Sequence, residues 1–305
     1  MNNPKTLFLI NPFSNEGNAM RSWNRAHKQY PGILPQTPVD ITKITDVKDY
    51  LIKDNPARVV IIGGDGTINI VCQAVLSMKH KPQLAIIPFG FGNALAYCLG
   101  VETLEKAVYV LQQGTPITID LMKTSLKNHP IGVFNISVGF DARIVHLRAN
   151  NKYIGIRSYV LSAIRGFIEH KKKQLTLIID DKVHMTIESS SLVIANCPII
   201  GKNFLTSPAA ALNDGLLDCT LFSSRYTYIT NLRLRGFKHP FYSESGKVHF
   251  KASKIAIKGE SLIQVDGDPE REDELLSIEV LPKAVTFLRN SDKYITLPAL
   301  PFKNV

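Results

Sequence analysis

The sequence of 305 residues has few cysteines and no apolar run long and uniform enough to cross a membrane. Its four cysteines form no C-x-x-C pair, so the usual zinc-binding pattern is missing. One uncharged run, residues 82–101, contains prolines and glycines that would interrupt a lipid-facing helix. Only four apolar residues, 7–10, precede Asn11-Pro12, too few for a signal-peptide core. We therefore expect a cytoplasmic protein whose membrane contact is peripheral.

Acidic residues are also scarce relative to basic ones. The chain has 26 Asp and Glu against 36 Lys and Arg, a formal net charge of +10. This excess favours polyanionic partners such as nucleic acid, anionic lipid headgroups or phosphorylated cofactors. With 45% hydrophobic and 20% charged residues, the composition is that of a globular protein and excludes a disordered chain.

The hydrophobic pattern changes near residue 120. Before this point, short apolar runs at 6–10, 39–42, 58–62 and 84–87 alternate with helix-length segments, which predicts βαβ units and a parallel sheet. After it, alternating segments predict antiparallel strands, with helices near 153–169 and 227–236. We therefore predict one domain over residues 1–120 and a second over 121–305, with the C-terminal tail packing back on the first.

The sharpest local motif follows the third apolar run. Residues 59–62 run into Gly63-Gly64-Asp65-Gly66-Thr67, and a helical segment starts at Ile68. Glycines at such a turn allow close backbone approach, so N–H groups at a helix N-terminus can face a phosphate. A carboxylate beside a phosphate is repulsive unless it holds a metal ion, orders water or takes a proton, so Asp65 argues for catalysis. An ordinary tight turn is the alternative.

Two further glycine-bearing loops, residues 11–18 and 88–96, follow strands in the same half. Loops at the carboxyl ends of parallel strands converge on one crevice, so three of them can surround one nucleotide. The sequence has neither G-x-x-x-x-G-K-[ST] nor a strand-linked G-x-G-x-x-G. A P-loop ATPase and the common dinucleotide fingerprint are therefore excluded.

Taken in order, these motifs resemble the diacylglycerol kinase and sphingosine kinase family of lipid kinases, bacterial members included. The resemblance runs nearly end to end. The motifs that carry it are Asn11-Pro12, Gly63–Thr67, Gly90–Ala96, Asp120, Phe134-Asn135, Gly139–Ala142, Pro208–Ala210, Asn213–Asp218 and Val265–Pro269. It implies a Rossmann-like three-layer α/β nucleotide domain, a C-terminal antiparallel β-sandwich domain for the lipid substrate, and an active site in the cleft between them.

The resemblance also implies an activity and its nucleotide-binding residues. The reaction is transfer of the γ-phosphate of ATP, with Mg²⁺, to the hydroxyl of a diacylglycerol-like or sphingoid lipid. Residues that match the family's nucleotide loops are Asn11, Ser14, Gly17, Thr45, Gly63, Gly64, Asp65, Gly66, Thr67, Gly90, Gly92 and Asn93. Among these, Asp65 is expected near the reacting centre.

Acids in the second half match further functional positions of the family. Asp268 corresponds to the proton acceptor from the lipid hydroxyl, and Asp266 to a residue that orients magnesium or water. Asp141 lies where sphingosine kinases place a carboxylate near the lipid headgroup. Asp214, with backbone carbonyls near Ala211 and Leu216, resembles a structural metal site of bacterial members.

Two departures from the family pattern leave alternatives open. The family's Asp-Gly-Glu is Asp266-Gly267-Asp268 here, one methylene shorter, and a displacement of about 1 Å can cost about a hundredfold in rate. An inactive lipid-binding protein of the same fold therefore stays an alternative. A soluble-substrate kinase similar to NAD kinase, which shares the Gly-Gly-Asp-Gly motif, is another, although residues 90–96 and 266–268 argue against it. Residues 94–96 after Asn93 resemble sphingosine kinases more closely, which favours a sphingoid base.

The positive charge is concentrated in residues 221–258, which hold eight Lys and Arg against one Glu. Aromatic residues interleaved with these charges suit an anionic lipid surface. A solvated face whose aromatics lie in the core is the alternative. No nucleic-acid-binding motif accompanies the charge, so we expect no nucleic-acid partner. A homodimer stays open.

Overall fold

The structure is a computed structural model that describes residues 5–151, 155–200, 204–231, 233–234 and 245–291. These residues divide into two compact units. The first contains residues 5–119 and 283–291, and the second contains the described residues between 120 and 282. Two long strands, β5 (Thr115–Thr124) and β19 (Leu276–Arg289), contribute residues to both units.

The first unit is an α/β domain with a parallel sheet. Its other strands are β1 (Thr6–Ile10), β2 (Val39–Asp40), β3 (Arg58–Gly63) and β4 (Gln83–Pro88). Its helices are α1 (Ser14–Gly17), α2 (Ala19–Gln29), α3 (Val47–Asp54), α4 (Asp65–Leu76), α5 (Ala94–Cys98) and α6 (Leu104–Gln113), with a 3₁₀ helix at Ile41–Lys43. The strand order is β2-β1-β3-β4, followed by the end of β19, and each neighbouring pair is parallel.

The apolar runs form these strands because both faces of the sheet are covered. All four residues of Val59–Ile62 are buried, which is typical of a parallel strand between two helical layers. Helix boundaries follow local capping: Asp46 Oδ1 accepts the Asp49 N–H at 3.0 Å before α3, and left-handed Asn55 ends that helix. The α/β fold that the sequence predicts is confirmed.

The second unit is an antiparallel β-sandwich covered by helices. Its remaining strands are β6 (Ile131–Gly132), β7 (Asn135–Gly139), β8 (Lys173–Ile179), β9 (Val183–Ser189), β10 (Ser191–Ala195), β11 (Ile199–Ile200), β12 (Phe204–Leu205), β13 (Leu217–Phe222), β14 (Arg233–Leu234), β15 (Lys247–Ala252), β16 (Lys254–Lys258), β17 (Leu262–Val265) and β18 (Asp268–Arg271). Its helices are α7 (Phe140–Ala149), α8 (Gly155–Glu169) and α9 (Arg225–Asn231). One sheet has the order β15-β13-β10-β7-β17-β18.

The sandwich core lies between this sheet and the one that contains β8, β16 and the start of β19. Alternate residues of each strand enter it, as for Ile136 and Val138 on β7 and Ile263 and Val265 on β17. The residues between them, Ser137 and Gln264, therefore face the opposite side of the sheet. Phe140 and Tyr228 pack on that side, where α7 and α9 cover the sheet.

Two helix expectations in the second unit need correction. The helix expected over residues 227–236 ends at Asn231, and Arg233–Leu234 form a strand because they pair with Phe204–Leu205. Helix α7 was not expected, since its apolar residues are spread around the helix and do not form one face. Within the part of the chain that the structure describes, no helix has the length and apolar character needed to cross a membrane.

Candidate functional site

The order of strands in the first unit determines where its loops converge. The chain leaves β1 towards β2 on one side, and β3 lies on the other side of β1, so the strand order reverses there. In open parallel sheets, ligands bind at the carboxyl ends of the strands at such a reversal. The Asn11 N–H donates to the Ile62 carbonyl at 3.0 Å and ties these two strand ends together.

The loop after β1 contacts the start of α4 through polar side chains. Asn11 Nδ2 donates to Thr67 Oγ1 at 3.1 Å, and Ser14 Oγ lies 3.5 Å from the same atom. Three consecutive residues of the short α1 segment, Asn15, Glu16 and Gly17, are left-handed, so this segment is a turn and not a regular α-helix. Asn11, Ser14 and Thr67, three of the predicted nucleotide-binding residues, are therefore in mutual reach.

The loops after β3 and β4 meet through their backbones. A Cβ atom on Gly90 would lie 2.2 Å from the Cα of Gly64, and one on Gly64 would lie 3.0 Å from the Cα of Gly90. At Gly63, a Cβ atom would lie 2.6 Å from Thr67 Oγ1. Only glycine has room at these contacts, so the sequence keeps side chains out of the place where the loops converge.

Helix α4 begins inside the glycine motif, three residues earlier than expected. Gly64 precedes its first residue, Asp65, which is half-buried, whereas Gly66 is exposed and Thr67 is buried. The N–H groups of the first turn have no acceptor within the helix and form a site that favours anions. Carboxylate and hydroxyl oxygens from Asp65, Thr67 and Ser14 are of the kind that Mg²⁺ prefers, so this donor set fits a magnesium-bound phosphate.

Asn93 shapes the loop after β4. Its Oδ1 accepts the Gly90 N–H at 3.0 Å, and its Nδ2 donates to the carbonyls of Pro88 at 3.2 Å and Gly90 at 3.0 Å. Asn93 itself is left-handed, with φ of 56°. Its amide thus holds the contact between Gly90 and Gly64 in place.

Two further residues of the predicted nucleotide site lie nearer the surface. Thr45 is exposed in a bend after the 3₁₀ helix, and Gly92 is half-buried.

In the second unit, Asp266 and Gly267 form the two-residue turn between β17 and β18. Both have positive φ, 53° and 93°, as hairpin turns of this length require. The Asp266 carboxylate accepts backbone N–H groups from Val133 at 2.7 Å, Phe134 at 2.9 Å and Asn135 at 3.1 Å. Both of its oxygens therefore bind backbone, and Asp266 anchors the turn to the segment before β7.

Asp268 is the first residue after this turn and pairs with Val265 across the hairpin. Its side chain is exposed, yet surrounding protein atoms partly desolvate it and raise its pKa, while the charges of His129 and Arg148 oppose the rise. A carboxylate with a raised pKa is a better proton acceptor. The geometry therefore leaves Asp268 accessible and suited to act as a base.

Asp141 lies in a buried hydrogen-bond network. Ser137 and Tyr228 donate their hydroxyls to its two oxygens, and Gln264 Nε2 lies 3.3 Å from Oδ2. Burial raises the pKa of Asp141, and burial together with the neighbouring Asp141 raises that of Tyr228. Asp141 is 7% exposed, and both of its carboxylate oxygens have protein partners.

Gln264 joins this network to the turn, and the sequence reading missed it. Its Oε1 accepts the Gly267 N–H at 2.8 Å, and its Nε2 donates to Asn135 Oδ1 at 2.7 Å and Ser137 Oγ at 3.0 Å. The available signal was a polar residue between two apolar ones in a predicted strand. Gln264 fixes Gly267, the residue directly before Asp268.

The predicted structural metal site contains a lysine. Lys251 Nζ donates to Asp214 Oδ2 at 2.6 Å and lies 3.3 Å from Asp218 Oδ2. The Leu216 N–H, rather than its carbonyl, faces Asp214, at 3.1 Å from Oδ1, and the Ala211 backbone N–H bonds Asp218. The described residues contain no group of three His, Cys, Asp or Glu placed to hold a metal. These residues do not fit a cation site, because the Lys251 ammonium already occupies the position beside both carboxylates.

Comparison with known proteins identifies the family. The model of the diacylglycerol kinase catalytic domain matches residues 5–124, and that of the YegS C-terminal NAD kinase beta sandwich-like domain matches residues 134–289. The chain belongs to this family of lipid kinases. A relative from Shewanella frigidimarina, named "Probable lipid kinase YegS-like", is 27% identical over 78% of this chain and 78% of its own.

Solved structures share the fold of this lipid kinase family member. A diacylglycerol kinase from Bacillus anthracis has a TM-score of 0.73 and 21% identity, and covers 96% of this chain and 99% of its own. An NAD kinase from Archaeoglobus fulgidus, solved in complex with ATP, has a TM-score of 0.51 and 15% identity over 96% of each chain. The expected β-sandwich is thereby confirmed as the fold of the second unit.

The basic segment 221–258 of this family member is only partly described. Residues 235–244, and with them Arg235 and Lys238, lie outside the described residues. Lys251 pairs with the two aspartates above, Lys254 Nζ lies 2.8 Å from Asp181 Oδ2, and Arg225 donates to the His170 carbonyl at 2.8 Å. Several of the expected lipid-binding charges are therefore engaged within the protein.

A cavity in the first unit lies away from these loops. It has a volume of about 390 Å³ and is lined by residues 31–35 and by Thr6–Phe8, the beginning of β1. The candidate phosphate loops follow the opposite end of the same strand. The cavity is therefore not part of the candidate site.

Proposed function

We propose that this family member is an ATP- and Mg²⁺-dependent kinase that phosphorylates the hydroxyl of a diacylglycerol-like or sphingoid lipid. The observation that carries the proposal is the meeting of the loops after β1, β3 and β4 in front of the N-terminus of α4. Such a site offers backbone N–H groups and hydroxyls to a polyphosphate. The family supplies the class of acceptor.

In the first unit, the proposed roles follow the chemistry of each group. The N–H groups of Gly64, Gly66 and Thr67 bind phosphate oxygens, and the Asn11 amide orients the Thr67 hydroxyl towards them. Asp65 would hold a magnesium ion, whose charge would neutralise that of the phosphates. Gly90 and Gly92 line the nucleotide, with Ser14, Gly17, Thr45 and Asn93 around it as the family resemblance implies.

In the second unit, Asp268 accepts the proton of the lipid hydroxyl. The lipid oxygen then forms a bond to the γ-phosphorus, the bond from that phosphorus to the β,γ-bridging oxygen breaks, and ADP leaves. Asp266 and Gln264 hold the turn that presents Asp268. The contact of Asp141 with the lipid headgroup would have to replace one of its present donors, Ser137 or Tyr228.

A transfer assay tests the proposal. The purified chain is incubated with γ-labelled ATP and Mg²⁺, separately with diacylglycerol, sphingosine and NAD. We expect label in one of the two lipids, and loss of transfer in Asp65→Asn with an unchanged melting temperature. Label in NAD alone would favour the soluble-substrate kinase, since this chain shares its fold with an NAD kinase that was solved with ATP. Binding of ATP and lipid without transfer would favour the inactive alternative.

A further inference from the structure

Helix α8 has its large apolar side chains on the outside. Val160, Leu161, Ile164 and Ile168 are 51%, 42%, 54% and 73% exposed. Spacings of three and four residues put these side chains on one face of the helix. We call these four residues the α8 face. It contains four branched aliphatic side chains where a surface helix normally has polar ones.

The opposite side of α8 explains why its aliphatic side chains face outwards. Ser158, Ser162 and Gly166 recur every four residues and are buried. A Cβ atom on Gly166 would lie 3.4 Å from Ile144 on α7, an ordinary van der Waals contact, so this side of α8 lies against α7. These small side chains, together with Phe167, hold the helix to the protein, and the four aliphatic side chains of the α8 face are left for another environment.

Basic and aromatic side chains flank the α8 face. Residues 157–173 contain five Lys and Arg, which are Arg157, Arg165, Lys171, Lys172 and Lys173, against one acid, Glu169. The ring of Tyr226, 62% exposed, packs edge-on to that of Phe167 at 4.8 Å, which extends the apolar surface to α9. Apolar residues bordered by cations and an aromatic ring are the features of a helix that lies in the interface of an anionic bilayer.

We propose that the α8 face docks this protein on the surface of an anionic lipid bilayer. The helix has 15 residues and is about 22 Å long at 1.5 Å per residue, too short to span a hydrocarbon core of about 30 Å. It therefore lies parallel to the surface. This inference rests on the proposed function and names the surface by which the proposed lipid kinase reaches its substrate. It differs from the expectation for the basic segment 221–258 in its four exposed aliphatic side chains, since basic residues of both regions, Arg165 and Lys173 as well as Lys251 and Lys254, pair with acids.

Vesicle binding tests the proposal without nucleotide or turnover. The purified chain is sedimented with vesicles of phosphatidylcholine containing phosphatidylglycerol, and with pure phosphatidylcholine vesicles. We expect Ile164→Gln/Ile168→Gln to lower the partition coefficient at least about tenfold, since two apolar side chains leave the interface. The matched control Ile52→Gln/Ile70→Gln changes two isoleucines of the first unit that are 49% and 46% exposed, and should bind as the unaltered chain does.

The charged border is tested in the same assay. Lys171→Gln/Lys172→Gln should weaken binding about 25-fold to phosphatidylglycerol vesicles, at about fivefold per lysine, and little to phosphatidylcholine vesicles. Lys28→Gln/Lys53→Gln, two exposed lysines of the first unit, serves as the control. Equal binding of all variants to both vesicles would overturn the proposal.

Two further readouts separate this inference from its rivals. If the α8 face instead covers a second copy of the chain, light scattering will show a dimer that Ile164→Gln/Ile168→Gln dissociates while vesicle binding persists, and the proposal fails. Transfer to a short-chain lipid dissolved as monomers should be unchanged in that variant, whereas transfer to vesicle lipid falls. Vesicle binding that depends on α8 would survive even if no lipid is phosphorylated, so failure of the proposed function is a separate result.

Discussion

In the first unit, the candidate site is built from backbone, whereas in the second the candidate acids are held by donors. Gly63, Gly64 and Gly90 let the loops approach where no side chain fits. Asp141, Asp266 and Asp214, by contrast, accept hydrogen bonds from hydroxyls, backbone N–H groups and an ammonium. The glycines thus serve the close approach of the loops, whereas an acid in a motif can either react or stabilise the fold. Asp268, exposed and with a raised pKa, is the acid of the second unit best suited to react.

The largest effect should come from removing the base. We expect Asp268→Asn to lower kcat about 10²- to 10⁴-fold, because the lipid hydroxyl loses its proton acceptor. Its melting temperature should stay that of the unaltered chain, since the side chain is exposed. Steady-state kinetics with the lipid that the transfer assay identifies measure the effect. Asp268→Glu, which restores the family's residue, should retain activity. Undiminished turnover in Asp268→Asn would place the base elsewhere.

The pH profile sharpens the same assignment. Because partial desolvation raises the pKa of Asp268, it becomes protonated, and unable to accept a proton, at a higher pH than an ordinary aspartate. We therefore expect kcat/KM to fall with decreasing pH, with the acidic limb above the usual aspartate range. The profile of Asp268→Glu should keep this limb, and that of Asp268→Asn should lose it. A limb at the ordinary aspartate pKa would contradict the assignment.

Asp266 tests whether an acid of the second unit holds the fold. Asp266→Ala leaves three buried backbone N–H groups without their acceptor, and we expect it to lower the free energy of unfolding by about 3 kcal/mol. Asp273→Ala, at an exposed aspartate a few residues further along the chain, is the matched control and should be neutral. Denaturant unfolding measures both. If Asp266→Ala kept full stability and lost only affinity for Mg²⁺, Asp266 would be a ligand instead of an anchor.

Gly90 tests the backbone contact of the first unit. A methyl group in Gly90→Ala would overlap the Cα of Gly64 at 2.2 Å, so the two loops must separate. We expect a loss of about 1–3 kcal/mol in stability and weaker binding of MgATP, measured by calorimetry. At Gly32 a Cβ atom would meet nothing within 4 Å, so Gly32→Ala should bind MgATP as the unaltered chain does. Equal affinities would show that the loops need no contact to bind nucleotide.

The parts of the fold that the sequence predicts are those with a local signal. Buried runs such as 59–62 predict strands because every side chain in them is apolar, and the positions of the loops follow from where such runs end. Helix α7 had no such signal, since only part of one side is buried, and Arg233–Leu234 form a strand only because a distant segment pairs with them. The periodicity of a short stretch of sequence does not predict contacts with segments that are distant in the chain.

The same limit applies to the candidate site. The glycine loops were predicted in their correct positions, because strand order follows simple rules. The network around Asp141 was not, since it joins Ser137 to Gln264 across 127 residues through the pairing of β7 with β17. Lys251 could not be predicted beside Asp214 for the same reason, because β13 and β15 bring the two together. Motifs therefore located these acids but did not indicate what binds them.

The smallest predicted loss of stability is that of replacing Lys251, which tests whether the acids Asp214 and Asp218 are held by a donor from the protein. Lys251→Met leaves Asp214 and Asp218 without their cation, and we expect a loss of about 1–2 kcal/mol, less than for a fully buried pair because the ammonium is partly exposed. Lys251→Arg keeps the charge and should recover most of it. In thermal unfolding, Mg²⁺ should stabilise Lys251→Met more than the unaltered chain, since only in that variant are the carboxylates open to a metal ion. Equal stabilisation of Lys251→Met and of the unaltered chain by Mg²⁺ would mean that the Lys251 ammonium does not occupy the place of a metal ion between Asp214 and Asp218.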